Sequence, residues 1–116
     1  MFFRLLCIVD FCAILNGNMK EKVYSYLQMI PNGKVVTYGQ IAECLGNKKL
    51  AGVVGNILHN NPSAEKYPCY KVANSKGQLS SHFAFGGIEK QKEKLEAEGI
   101  AVMNYKVDLE KYGFSL

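Results

Sequence analysis

What the sequence lacks narrows it first. Its four cysteines, Cys7, Cys12, Cys44 and Cys69, make no CxxC pair, and the two histidines complete no Cys/His set at metal-ligand spacing, which argues against a structural zinc. No convincing secretory signal precedes them, so they read as reduced thiols in a cytoplasm. No internal repeat, low-complexity tract or linker divides the 116 residues, a length that suits one domain with a real core. Charge of one sign is scarce too: the excess is only +4, compatible with nucleic acid and equally with a solvated basic surface. The only long apolar run, Met1–Leu15, is broken by Asp10 and is too short to span a bilayer comfortably. Arg4 ahead of that run is a feature of signal peptides, but no small-residue cleavage pattern follows.

The remaining composition, 48% hydrophobic and 21% charged, is ordinary for a globular protein. Residues 1–18 read as an apolar N-terminal extension, closed by the turn signal Asn16-Gly17-Asn18. Met19 as the natural start and an added element packed on the domain are both open readings of that segment. Residues 19–116 read as the domain.

Val23, Leu27 and Ile30 recur at helical spacing over 19–30, and Pro31-Asn32-Gly33 turns the chain into a short strand, Val35–Thr37. Thr37 and Gln40 form a capping box for a helix closed by Gly46. Asn47 then caps a second helix over 48–59, with Leu50, Val53, Val54, Ile57 and Leu58 as its apolar stripe. Its other face carries Lys48, Gly52, Gly55, Asn56 and His59. Two short helices joined by a tight turn predict a helix-turn-helix whose second helix lets a partner's backbone come close. Helix packing through Gly52 and Gly55 is the plainer alternative. Tyr67–Val72 reads as extended, with Ala73–Gly77 as a turn and Gln78-Leu79 as the returning strand of a hairpin wing. After a loop with the rings of His82, Phe83 and Phe85, a charged helix is expected over 88–98, then one strand over 100–107 and a short tail. The fold class is therefore mainly α with a small β wing, a winged helix-turn-helix DNA-binding domain.

Cys69 follows Pro68, whose fixed φ and effect on Tyr67 hold the thiol on a stiff segment. If that segment is extended, Lys71 shares its face and brings a cation that helps form the thiolate. Position alone leaves a second reading open, that Cys69 is a small buried hydrophobe.

Five words of the sequence, in order, carry a resemblance: 33–42 (GKVVTYGQIA), 54–62 (VGNILHNNP), 68–72 (PCYKV), Gly86-Gly87 and Glu98-Gly99. Over about Met19 to Ile100 the chain resembles the DNA-binding domain of the 6-O-alkylguanine-DNA alkyltransferases and their alkyltransferase-like relatives. The resemblance implies insertion of the second helix into the minor groove, flipping of the alkylated guanine and single-turnover transfer of its alkyl group to Cys69. It implies no cofactor and no metal. Asn61 matches the asparagine supporting the active-site turn, Tyr38 a tyrosine that contacts phosphate and can protonate the departing guanine, and Glu98 the glutamate that orients the family's histidine. Gly86 and Gly87 match a pair near the pocket wall. The DNA-facing set is Tyr38, Gln40, Lys48, Lys49, Gly52, Asn56 and Lys71.

Three departures stand out. Tyr70 occupies the position of the family's proton-relaying histidine, and a phenol is a poor base at neutral pH. Lys71 stands for an arginine, keeping charge but losing the fork. Gly52 stands where the family wedges an arginine into the duplex. The expected function is a DNA repair protein and methylated-DNA-protein-cysteine S-methyltransferase acting through Cys69; the alternative is a non-catalytic lesion binder that flags damage for another repair pathway. The expected partners are double-stranded DNA with alkylated guanine and a repair-pathway protein; the chain is expected to be a cytoplasmic monomer with no membrane contact.

Overall fold

The computed structural model describes residues 17–80 and 83–115. Most of the expected extension, residues 1–16, and His82 lie outside the described residues.

Helix α1, Met19–Met29, is capped by Asn18, whose side chain accepts from the Glu21 N–H. It buries Val23, Tyr24, Tyr26 and Leu27. Strand β1, Val36–Thr37, runs straight into helix α2, Tyr38–Cys44, through the predicted capping box, in which Thr37 and Gln40 satisfy each other's backbone N–H. The second helix of the pair begins as one 3₁₀ turn, Lys48–Leu50, capped by Asn47, and continues as α3, Ala51–His59. Of its expected apolar stripe, Val54 and Leu58 are buried, whereas Val53 is 41% exposed. Val54 and Leu58 stand one turn apart and fix which side faces the core; Val53, one residue earlier, is rotated off it.

The region around Cys69 differs from the extended strand expected of it. Pro68 leads into a 3₁₀ turn, Cys69–Lys71, closed by the Lys71 N–H donating to Pro68 O at 3.1 Å. Strand β2, Val72–Ala73, then pairs in parallel with β1, Val36 opposite Val72. The hairpin expected between β2 and Gln78-Leu79 is replaced by a turn that passes the chain on: the Asn74 N–H still donates to Gln78 O, but Gln78 bridges Lys106 and the Leu79 N–H donates to Tyr105 O. Helix α4 is Gly87–Ala97. The single strand expected over 100–107 is a hairpin, β3 Val102–Met103 against β4 Lys106–Val107. Its turn puts Asn104 and Tyr105 at φ 54° and 58°, a two-residue primed geometry usually signalled by a glycine that is missing here. A last turn of helix, α5 Leu109–Tyr112, leads to a segment that lies along β1, with Phe114 N–H donating to Val35 O at 2.7 Å.

The result is mainly helical with two small two-stranded sheets. One apolar cluster joins α1, α2, α3 and the Cys69 turn; a second gathers Val35, Leu79, Leu95, Ile100 and Val107 beneath the hairpin. Among the described residues no helix is long and apolar enough to cross a membrane. Among the described residues Cys69 is a free cysteine, and it is buried.

Candidate nucleic-acid interface and buried thiol

The Cys69 turn is braced from three directions. Tyr67 stacks on Tyr24 with ring centroids 4.6 Å apart, holding the start of the turn against α1. Asn61, buried just beyond α3, donates to Tyr67 O at 2.7 Å and also hydrogen-bonds the Cys69 sulfur. Behind the turn, the Glu98 carboxylate collects three donors: Tyr70 Oη at 2.5 Å, the Gly33 N–H at 3.0 Å and Lys71 Nζ at 3.1 Å. Burial alone would raise the Glu98 pKa, but the donations from Tyr70, Gly33 and Lys71 outweigh it and hold the carboxyl below its usual value.

This geometry moves Lys71 off the surface where it was expected. The 3₁₀ turn points its side chain inward, 5% exposed, where Nζ also reaches Ile30 O and Pro31 O at 3.3 Å each. An ammonium so committed has nothing to offer a phosphate. Gln40 is likewise spent internally: its amide caps Thr37 and donates to Phe114 O at 2.7 Å. Lys49 is exposed but lines neither of the cavities described next.

Two adjoining cavities open on the α2–α3 face. One, of about 260 Å³, has Cys69 in its lining with Tyr38, Gly55, Asn56, His59, Ser80 and Phe83. The other, of about 480 Å³, is bounded by Tyr38, Gly39, Lys48, Gly52, Gly55 and Asn74. Tyr38 and Gly55 form the wall between them. The structure thus gathers Tyr38, Asn56, Gly52, Lys48 and Cys69 around one continuous depression, with Asn61 directly behind the sulfur. Gly86, at φ 116°, caps α4 just past the rim residue Phe83; a Cβ there would sit 2.4 Å from the Lys90 side chain. Residues that the sequence did not single out are Ser80, which hydrogen-bonds Tyr38, and Lys94, whose Nζ lies 5.7 Å from the Tyr70 ring centre.

Protonation favours neutral groups in this depression. Burial pushes the Cys69 thiol up, only partly offset by Asn61 and by the charge of Lys94. Burial also raises Tyr38. Tyr70 is raised by burial, by its bond to Glu98 and by the carboxylate charge, so it stays a phenol and a donor. Among the described residues no cluster of three or more His, Cys, Asp or Glu could hold a metal.

Gly55 stands in the interior of the nine-residue helix and Gly52 in its first turn, following the 3₁₀ turn; a helical glycine costs about 0.5–1 kcal/mol relative to alanine. A Cβ at either would meet nothing within 4 Å. Internal packing therefore gives no reason for either glycine, and helix packing through them is not what the fold does. A face kept bare at a cost to stability is suited to close approach by another molecule.

Together these features define a class: a mainly helical domain with a buried thiol at a cavity beneath an exposed, glycine-bearing helix face. The model of the 6-O-methylguanine DNA methyltransferase DNA-binding domain matches residues 18–100, and the chain belongs to that family. It is similar to a DNA base-flipping protein of Vibrio parahaemolyticus, 41% identical over 92 residues that cover 78% of this chain and 90% of that one. It is also 40% identical over 93 residues to a bifunctional methyltransferase/endonuclease of Picrophilus torridus, covering 80% of this chain but 30% of that longer protein. The crystal structure of S. pombe Atl1 in complex with damaged DNA containing O6-carboxymethylguanine superposes with a TM-score of 0.77 at 33% identity, covering 84% of this chain and 95% of that one.

Two outcomes follow from the packing. Gly52→Ala and Gly55→Ala should each raise the free energy of unfolding by about 0.5–1 kcal/mol, measured by urea denaturation, while lowering affinity for duplex DNA by fluorescence anisotropy. Glu98→Gln leaves Lys71 buried without its counter-ion and should cost about 3 kcal/mol. The depressed Glu98 pKa means this stabilisation is present above the unfolded carboxyl value, near 4.5, and is lost as pH falls through the lower folded value. The acid limb of the stability curve should therefore flatten in the variant.

Proposed function

We propose that the protein is a DNA repair protein that binds duplex DNA carrying 6-O-alkylguanine, takes the damaged base out of the stack, and receives its alkyl group on Cys69. The observation that carries this reading is the position of the free thiol in the lining of a small cavity shared with Tyr38 and the α3 face. In this reading the two helices are the helix-turn-helix of a winged domain, with α3 in the minor groove. Lys48, exposed beside the bare Gly52 face, meets a phosphate. The named relatives support it, since one is a base-flipping protein and another was solved on alkylated DNA. The compartment we propose is the cytoplasm.

In the transfer step the Cys69 thiolate attacks the alkyl carbon, forming a C–S bond as the C–O6 bond breaks. The electron pair leaves with the guanine, which takes up a proton; the Tyr38 hydroxyl is the donor at hand. The phenol that follows the sulfur in sequence is no base for it: Tyr70 holds its proton and spends it on Glu98. The rate therefore follows the thiolate fraction set by solvent pH. That same lock on Tyr70 favours a second reading, in which the lesion is held for another pathway without transfer.

Intact mass spectrometry after incubation with duplex DNA containing 6-O-methylguanine distinguishes the two. Transfer predicts a gain of one methyl group that disappears in Cys69→Ala and whose rate climbs about tenfold per pH unit through the neutral range. Lesion binding with unchanged mass at every pH establishes the second reading. Tyr70→His returns an imidazole to the position between Glu98 and Cys69, and transfer at neutral pH should accelerate on the order of 100-fold.

A further inference from the structure

Helix α4 reads from sequence as charged and solvated, yet it carries a glutamine that is 1% exposed. Gln91 uses its whole amide. Its Nε2 donates to Tyr70 O at 3.0 Å and to Val72 O at 3.2 Å, and its Oε1 accepts from the Ser80 N–H at 2.9 Å. These three bonds join two segments that no ladder joins. Tyr70 and Val72 belong to the chain leaving Cys69; Ser80 lines the same cavity as Cys69 and hydrogen-bonds Tyr38. The span across the cavity, from thiol to phenol, is thus tied by one side chain from a third element. Such a tie is stiff, because without it the buried Val72 carbonyl and two part-buried backbone groups would each lose this partner.

We propose that Gln91 is a positioning residue that sets the width of the lesion pocket, and so the preference for an alkylated base over an ordinary one. It touches neither the DNA nor the sulfur; it acts through Ser80 and the Cys69 turn. This rests on the proposed lesion-binding function. A glutamine is required because two acceptors and one donor converge on it: leucine or methionine would satisfy none of them, and a glutamate carboxylate only the Ser80 N–H.

The test measures affinity of the full chain for a duplex with 6-O-methylguanine and for the same duplex unmodified, by fluorescence anisotropy, with Gln91→Met and Gln91→Glu. For Gln91→Met the ratio of the two affinities should fall about tenfold while affinity for unmodified duplex stays within about twofold, since α3 is untouched. Gln91→Glu should show the same loss near neutral pH and regain preference as pH falls and its buried carboxyl takes up the proton that restores a donor; it carries the test alone if Gln91→Met does not fold. Both affinities falling in parallel, or a ratio equal to that of the unaltered protein at each pH, overturns the role of Gln91 and leaves the lesion-binding function standing. No preference for the lesion in the unaltered protein overturns that function, and the role of Gln91 with it.

Discussion

The carboxylate of Glu98 is the interaction on which the rest of the site depends. It stands just past α4, yet its three donors come from the loop after α1 and from the two residues that follow Cys69. One anion thus pins two segments distant in sequence to the end of α4, and the 3₁₀ turn bearing the thiol takes its orientation from it. Buried ion pairs add little net stability against an apolar alternative, because desolvating both charges is costly. Their stronger effect is geometric, since few arrangements satisfy every proton. Lysine suits this one: a compact ammonium divides its hydrogens between Glu98 and two carbonyls in different directions, which a planar guanidinium fork does not match as well.

The same carboxylate decides where protons can go. Tyr70 stands next to Cys69, and a free phenol there would at least offer an oxygen to the thiol. Donation to Glu98 instead keeps the phenol protonated, and the negative charge behind it makes ionisation harder still. Among the described residues Lys94, above the Tyr70 ring, is the cation whose charge favours the thiolate, and burial outweighs it. The site is built to hold sulfur at a defined place more than to activate it. A reaction there is limited by how often the thiol is ionised, not by how well it is placed.

What the sequence made legible was local chemistry. The Thr37–Gln40 capping box and the Asn47 cap depend on residues within a few positions of one another, and they formed as read, although the helix over 48–59 opens as a 3₁₀ turn and the last long helix runs 87–97. Tyr70 and Glu98 could be marked as a site pair, but not the direction of Lys71, because that depends on whether 69–71 is extended or turned. Pro68 is compatible with both, and contacts from Glu98 and Ile30, remote in sequence, choose between them. The misassigned hairpin has a similar origin: Gln78 and Leu79 carry a strand signal, and only the later hairpin supplies their partner. Gln91 was hidden by its neighbours Lys90, Lys92 and Glu93, although Ile88, Gln91 and Leu95 fall at i, i+3 and i+7. That spacing places a glutamine on an apolar stripe, which is the signal that would have found it.

Gly52 leaves an energetic question. Extruding a base from a duplex costs a few kcal/mol of stacking and pairing. A side chain inserted into the vacated space would offset part of that cost, and Gly52 has none to insert. On the proposed function the compensation must come from the receiving side, where the phenol of Tyr38 and the ring of Phe83 line a cavity that excludes water from a purine face. Stacking on an aromatic ring contributes about 1–3 kcal/mol per base, enough to balance the extrusion without a wedge. The bare α3 face contributes in another way, by letting the backbone of the helix approach the groove closely enough for Lys48 and Asn56 to reach it. A protein arranged like this holds a flipped base by the quality of its pocket, so the pocket's fixed width matters more to it than to a protein that also props the duplex open.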